Sequence, residues 1–206
     1  CTNPGIAVVL DGPDADRFVT ATAETLAGMA PQTMLTDGIA KAYRDGQQRL
    51  ASRDGIKPLL ITEQSGRNAT PNLFETTGAA FLADHLLGEE VFGPLGLVVR
   101  VGSLGEMESL ARGFAGQLTA TLHMDDEDTA IARRLLPVLE RKAGRVLVNG
   151  FPTGVEVVDS MVHGGPYPAS TNFGATSVGT LSMRRFLRPV SYQNMPADLL
   201  PDDLAG

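Results

Sequence analysis

A thiol at the mouth of a loop is the first chemistry this chain offers. Cys1 is the single cysteine among 206 residues, and Cys1-Thr2-Asn3-Pro4-Gly5 runs directly into the apolar stretch Ile6-Ala7-Val8-Val9-Leu10. A cysteine beside a buried strand is well placed for covalent catalysis, because the thiolate is the nucleophile and a free thiol ionises near pH ~8.5. On position alone, a lone cysteine is more often a small buried hydrophobe. Two further groups along the chain favour the nucleophile.

The first is Gly88-Glu89-Glu90-Val91-Phe92-Gly93-Pro94, which sets two carboxylates, an aromatic ring and a Gly-Pro breaker just ahead of the apolar run Leu95 to Val101. Most acidic pairs in turns are simply solvated. A loop carboxylate can also accept hydrogen bonds from sugar hydroxyls, and a neighbouring ring offers a flat apolar face. The second is a stretch rich in Gly, Pro, Ser and Thr from Phe151 to Gly179, centred on His163-Gly164-Gly165-Pro166-Tyr167-Pro168. A loop this long in a compact domain is usually functional or else disordered, and its aromatics and single histidine favour function. His85, His123 and His163 lie far apart and no cysteines pair at ligand spacing, so no metal site is expected. Neither a GxGxxG fingerprint nor a Walker loop occurs.

Elements that would position these groups alternate along the chain. Apolar spacing predicts helices over about Asp14–Met29 and Asp37–Ser52, and strands over Lys57–Thr62, Asn72–Thr76 and Leu95–Val101. Ser103 and Glu106 form a capping-box pattern ahead of a helix carrying Met107, Leu110, Ala111 and Phe114. A strand over Gln117–His123, a helix opened by Asp125 to Asp128 and bent at Pro137, and a strand over Arg145–Gly150 follow. Strands alternating with helices indicate an α/β fold with a mostly parallel, twisted sheet flanked by helices. In such sheets chemistry is expected at the carboxyl ends of the strands. Leu181 to Tyr192, interrupted by Arg184, Arg185 and Arg188, reads as an edge or intersubunit strand rather than a central one. The expected organisation is a catalytic unit over residues 1–180, then an oligomerisation strand and acidic tail over 181–206.

Composition narrows the function classes. A net charge of −7 disfavours nucleic acid and anionic lipid as partners. The absence of tryptophan disfavours stacking platforms for single strands. No stretch approaches the ~20 apolar residues of a membrane span, and nothing resembles a secretory leader. One cysteine allows no internal disulfide, so a reducing, cytoplasmic setting is expected.

Together these segments resemble the catalytic domain of the aldehyde dehydrogenase superfamily over essentially the whole chain. Cys1-Thr2-Asn3-Pro4-Gly5 is similar to the segment around that family's nucleophile. Glu89-Glu90-Val91-Phe92-Gly93-Pro94 resembles its Glu-(Ile/Val)-Phe-Gly-Pro motif, and Arg145 to Gly150 the strand leading to its substrate loop. Phe151-Pro152-Thr153-Gly154-Val155-Glu156-Val157, the His163 to Ser170 stretch and Arg188 to Asn194 resemble the 2,5-dioxovalerate (α-ketoglutarate semialdehyde) branch and its NADP-linked relatives. Val162-His163-Gly164-Gly165 replaces the Pro-Phe-Gly-Gly type motif of most of the superfamily.

The resemblance implies roles. Cys1 would attack a small-molecule aldehyde to give a thiohemiacetal, hydride would pass to NADP or NAD, and water would hydrolyse the thioester. The Cys1 backbone N–H would help hold the oxyanion. Glu90 would accept from ribose hydroxyls and Phe92 would pack near the nicotinamide. His163 would line the aldehyde tunnel, with Phe151 on the same wall. In this family the nucleotide-binding domain, the general-base glutamate and the oxyanion-hole asparagine precede the nucleophile. A fragment nearly inactive alone is therefore expected, since loss of a general base costs ~10²–10⁴-fold. A homodimer or homotetramer through the late strand is also implied. Two rivals stand beside this reading. An N-terminal-nucleophile hydrolase would use the α-amine of Cys1 as base and needs two stacked antiparallel sheets. A non-catalytic assembly module would keep the oligomerisation surface alone.

Overall fold

The computed structural model describes residues 3–155, 158–172 and 174–204. Strand β1 (Ile6–Leu10) is followed by helix α1 (Pro13–Ala27), β2 (Gln32–Thr33), α2 (Asp37–Ala51), β3 (Lys57–Leu60) and β4 (Asn68–Ala69). Next come β5 (Asn72–Thr77), α3 (Gly78–Ala83), β6 (Leu95–Val101), α4 (Leu104–Gly113), β7 (Gln117–Leu122), α5 (Thr129–Leu139) and β8 (Ala143–Val148).

The main sheet has the order β1-β6-β5-β3. β6 lies parallel to both β1 and β5, and β3 closes the far edge antiparallel to β5. β6 takes the interior because it is apolar on both faces, as a strand covered on two sides must be. Leu97, Val99 and Val101 point into a core with Tyr43, Phe74, Phe81 and Leu110, built from α2, α3 and α4. Val98 points the other way, packing with Leu73 and Val19 beneath α1. β7 and β8 form a separate parallel pair. α4 joins the two parts: Leu110 faces the main core, while Ala111 packs with Leu135 and Val138 of α5 and with Leu122 of β7. The sheets are thus mostly parallel and helix-covered. Two stacked antiparallel sheets, which the hydrolase alternative requires, do not occur among the described residues.

Local chemistry sets the element ends. Pro13 opens α1 at its first turn, where a missing N–H costs nothing, so the helix starts before Asp14. The Thr36 hydroxyl caps α2 by accepting from Ile39 N at 3.1 Å. β3 stops at Leu60 because Thr62 N donates to the Asn72 side chain at 2.9 Å instead of continuing the ladder. Ser103 caps α4, but the Glu106 carboxylate reaches back to Gly102 N at 2.7 Å, one residue before the cap.

The C-terminal segment corrects an expectation. Thr180–Phe186 forms a 3₁₀ turn, and the backbone beyond it is irregular, where the sequence predicts an oligomerisation strand over Leu181–Tyr192. Its amides are satisfied locally: Ser182 N donates to Gly179 O at 3.1 Å and Leu187 N to Arg184 O at 3.1 Å. A ladder would need those groups free. No helix among the described residues is long and apolar enough to cross a membrane.

Candidate functional site

The acidic-aromatic loop is seated on one face of α2. A Cβ placed on Gly46 would lie 2.7 Å from Val91 Cγ1, so the glycine is the notch that receives Val91. One turn earlier, the Tyr43 ring lies under Gly93, where a Cβ would come within 2.4 Å of it. Gly93 also has φ +149, a conformation other residues rarely adopt. The Tyr43 hydroxyl lies 3.0 Å from Pro94 O and 3.1 Å from Thr70 O, and it accepts from Asn72 Nδ2 at 2.9 Å. Burial pushes the Tyr43 phenol above its ordinary pKa, with the Asn72 hydrogen bond opposing the shift. With Val91 turned into the core, its neighbours Glu90 and Phe92 are left exposed.

Asn3 meets this loop. Cys1 and Thr2 lie outside the described residues; Asn3 is the first within them. Asn3 Nδ2 donates to Gly93 O at 3.1 Å and to Leu95 O at 3.2 Å. Gly5 O accepts from Leu97 N at 2.9 Å, which starts the β1–β6 ladder.

This junction sits at the amino ends of β1 and β6, whereas the sequence reading expects chemistry at the carboxyl ends of strands. The carboxyl-terminal side is closed by an ion cluster. Arg100 Nε donates to Glu75 Oε2 at 2.7 Å, and its Nη1 reaches Asp11 at 2.9 Å and Asp16 at 2.7 Å. Lys57 Nζ meets the other Glu75 oxygen at 3.1 Å. Burial alone would raise the Glu75 pKa, but the Arg100 and Lys57 hydrogen bonds outweigh it and hold the carboxyl below its ordinary range. Arg100 is shifted up by the same contacts, chiefly Asp11 and then Glu75.

His163 and Phe151 lie on the β7–β8 pair, at opposite ends of it. The chain from His163 to Tyr167 is laid across the strand starts, with backbone pressed on backbone. A Cβ on Gly144 would fall 2.4 Å from Gly164 O, and one on Gly165 would fall 2.3 Å from Gln117 O. Gly116 N donates to Tyr167 O at 3.2 Å. His163 N donates to the buried Thr176 hydroxyl at 2.9 Å, while its Nδ1 is buried without a hydrogen-bond partner among the described residues. Phe151 stands past the strand ends beside His123, with ring centroids 5.6 Å apart. Asn149, at φ 50, fixes that end: its side chain accepts from Met124 N at 2.8 Å and donates to Met124 O at 2.7 Å. Arg145 then pins the turn after Phe151, donating to Gly154 O at 2.8 Å and Pro152 O at 3.0 Å. A six-residue strand spans roughly 20 Å. Phe151 and His163 therefore stand near different ends of the pair, where the sequence reading assigns them to one wall. Glu156 and Val157, part of the same motif stretch, lie outside the described residues.

The structure thus ties Asn3 to the loop that carries Glu90 and Phe92, and places His163 and Phe151 elsewhere, on the β7–β8 pair. Sequence reasoning misses Asn3, Tyr43, Gly46 and Asn149. Gly46 carries the one readable signal, a glycine in the interior of a helix, which is costly unless something approaches closely.

No family model matches the chain. Over 206 residues, 99% of its length, it is 53% identical to alpha-ketoglutaric semialdehyde dehydrogenase 2 of Azospirillum brasilense, covering 39% of that protein. It is 45% identical, again over 99% of its length and 39% of the relative, to alpha-ketoglutaric semialdehyde dehydrogenase of Acinetobacter baylyi. The chain spans about two fifths of the length of these relatives. In fold it is similar to succinic semialdehyde dehydrogenase from Streptococcus pyogenes, with a TM-score of 0.67 at 20% identity over 94% of this chain and 43% of that one. About half the residues are shared with these relatives along 99% of the chain, so the chain is similar in sequence to a part of alpha-ketoglutaric semialdehyde dehydrogenases and similar in fold to a solved succinic semialdehyde dehydrogenase.

Proposed function

We propose that this chain supplies the nucleophile and part of the nucleotide-binding surface of an NAD(P)-dependent aldehyde dehydrogenase. The substrate class is a semialdehyde such as 2,5-dioxopentanoate, oxidised to its carboxylate. One observation carries the reading: Asn3 ties the segment holding Cys1 to the loop that displays Glu90 and Phe92. Identity to two α-ketoglutaric semialdehyde dehydrogenases supports the substrate class.

In this reading the Cys1 thiolate forms a bond to the aldehyde carbon, and the carbonyl oxygen becomes the oxyanion of a thiohemiacetal. The Cys1 backbone N–H donates to that oxyanion. A bound nicotinamide nucleotide, NADP or NAD, supplies the two-electron acceptor for the carbon. Water then cleaves the Cys1 thioester, releasing the carboxylate and restoring the thiol. The donor set fits the nicotinamide-ribose end of such a nucleotide: Glu90 is an exposed, acceptor-only carboxylate and Phe92 an exposed ring, both on a loop seated firmly on α2. His163 and Phe151 are assigned to two separate parts of the aldehyde path. Residues 1–180 form the catalytic unit, and 181–206 serve assembly into a homodimer or homotetramer, to be read by light scattering. The setting is cytoplasmic.

The test is Glu90→Gln in the longest natural polypeptide that carries this sequence. A hydrogen bond to a charged group is worth about 1.5–3 kcal/mol, so hydride transfer in a single turnover should slow roughly 10-fold or more. An unchanged rate removes Glu90 from the site.

A further inference from the structure

We infer that Asn149 is a site of covalent modification: its side-chain amide converts spontaneously to aspartate or isoaspartate, and the conversion loosens the end of the β7–β8 pair where His123 and Phe151 stand. This does not depend on the dehydrogenase reading. Asn149 is followed by Gly150, the one Asn-Gly step in the sequence. Asparagine is among the thermally labile side chains, and a following glycine increases the lability, because no Cβ shields the backbone nitrogen that attacks the amide. Asn149 is also exposed, and nothing among the described residues accepts a hydrogen bond from Gly150 N. The nucleophile is therefore unengaged.

The step needs water and no other reactant. Gly150 N gives up its proton and bonds to Asn149 Cγ; the Cγ–Nδ2 bond breaks and ammonia leaves, closing a cyclic imide. Water then opens the ring at either carbonyl. One opening leaves aspartate, and the other leaves isoaspartate, with the backbone routed through the former side chain. The fold holds this reaction back. The Asn149 side chain accepts from Met124 N at 2.8 Å and donates to Met124 O at 2.7 Å, while its own backbone N donates to Leu122 O at 2.9 Å. Cγ cannot turn towards Gly150 N until the two Met124 contacts open, which requires a local opening of the strand ends. Conversion prevents full reclosure. Aspartate places an oxygen where Nδ2 faced Met124 O, and it adds a carboxylate to the cleft that Asn149 shares with Asp125, Asp126 and Glu127. Isoaspartate lengthens the backbone by one carbon ahead of Gly150, which displaces Phe151 from its place beside His123.

Gly150→Ala and Asn149→Asp test this in the longest natural polypeptide that carries the sequence. A Cβ on Gly150 would meet Val148 O at 3.7 Å and Leu147 Cδ2 at 4.0 Å, both ordinary contacts, so Gly150→Ala shields the attacking nitrogen without straining the fold. Wild type and Gly150→Ala are incubated in mildly alkaline buffer, folded and in urea, and peptide mass mapping follows conversion of every asparagine. In the folded wild type Asn149 should convert before any other asparagine. It should do so roughly 10- to 100-fold more slowly than in urea, because two hydrogen bonds must open first. Gly150→Ala should keep Asn149 intact over the same period at a wild-type thermal midpoint. Asn149→Asp should lower the midpoint by a few degrees. Another asparagine converting ahead of Asn149, or Gly150→Ala converting at the wild-type rate, overturns the assignment of the site. Equal rates folded and in urea overturn the guarding role of the Met124 contacts, and a wild-type midpoint for Asn149→Asp overturns the loosening.

Discussion

Gly46→Ala measures the seat of the Glu89–Pro94 loop, because two effects of opposite sign compete there. Gly46 is buried within α2 with helical backbone geometry, so it needs no special conformation. Replacing an interior helical glycine by alanine ordinarily stabilises by about 0.5–1 kcal/mol. Here the new methyl would lie 2.7 Å from Val91 Cγ1 and 3.2 Å from Cγ2. Ordinary contact begins near 3.4 Å, so Val91 must retreat by roughly 0.7 Å. Val91 is β-branched and packed against the main core, so it cannot swing aside cheaply. Overpacking of this kind costs about 1–3 kcal/mol. The net expectation is a destabilisation of about 1 kcal/mol, with a range of about 0–2.5. Gly38→Ala provides the control in the same helix, since its methyl would meet only Thr36 Oγ1 at 3.8 Å. It should be neutral or stabilising by up to about 1 kcal/mol. The difference between the two variants isolates the overpacking cost, about 1–3 kcal/mol, read as the shift in urea midpoint at unchanged slope. If Gly46→Ala stabilises as much as Gly38→Ala, Val91 does not occupy the notch and the account of how Glu90 and Phe92 are displayed fails.

Two further variants probe the supports around this seat. Tyr43→Phe keeps the ring under Gly93 but deletes the hydroxyl shared by Pro94 O, Thr70 O and Asn72 Nδ2. Leaving those groups unpaired should cost about 1–3 kcal/mol in urea unfolding, and a cost below ~0.5 kcal/mol would show that the hydroxyl anchors nothing. Glu75→Gln probes the ion cluster through pH. The Glu75 carboxyl is held below the ordinary glutamate value of roughly 4.3, so its contribution to stability is complete above that pH and is lost as pH falls through its folded-state value. The wild-type thermal midpoint should fall more steeply than that of Glu75→Gln below about pH 5, and parallel acid limbs would refute the assignment.

The fold is legible where chain-local signals coincide. α2 carries Thr36 as cap and a stripe through Tyr43 and Leu50, and a 3.6-residue period needs nothing from the rest of the molecule. β6 is legible because seven nearly all-apolar residues bounded by Pro94 and Gly102 suit an interior strand. The errors arise where a distant partner decides. β3 is cut short by a side chain ten residues on, Asn72, which takes the amide of Thr62. Leu181–Tyr192 has strand-like residues, yet its amides close local turns. In the candidate site, Glu90 and Phe92 can be read from the sequence, but the face of α2 that displays them cannot. The glycine notch and Val91 are joined only in three dimensions, and nothing in the residue types around Gly46 names its partner.

The two ends of the main sheet are held by different chemistry. Ligands gather at the carboxyl ends of parallel strands when the loops there are free to receive them. Here Arg100, largely buried near the end of β6, faces Glu75, Asp11 and Asp16 at once, and Lys57 covers the remaining oxygen of Glu75. The Asp11 and Asp16 partners are largely exposed, so each of those pairs is worth little alone, and the Glu75 pair is the better shielded contact. The amino ends carry no such closure: Asn3, Gly5 and the loop through Gly93 are joined by three neutral hydrogen bonds, each worth about 1 kcal/mol. The charge cluster holds one end of the sheet, and these weaker amide contacts tie the other. Substitutions at Glu75 should accordingly lower stability in urea unfolding more than Asn3→Ala does, and equal losses would refute this division between the two ends of the sheet.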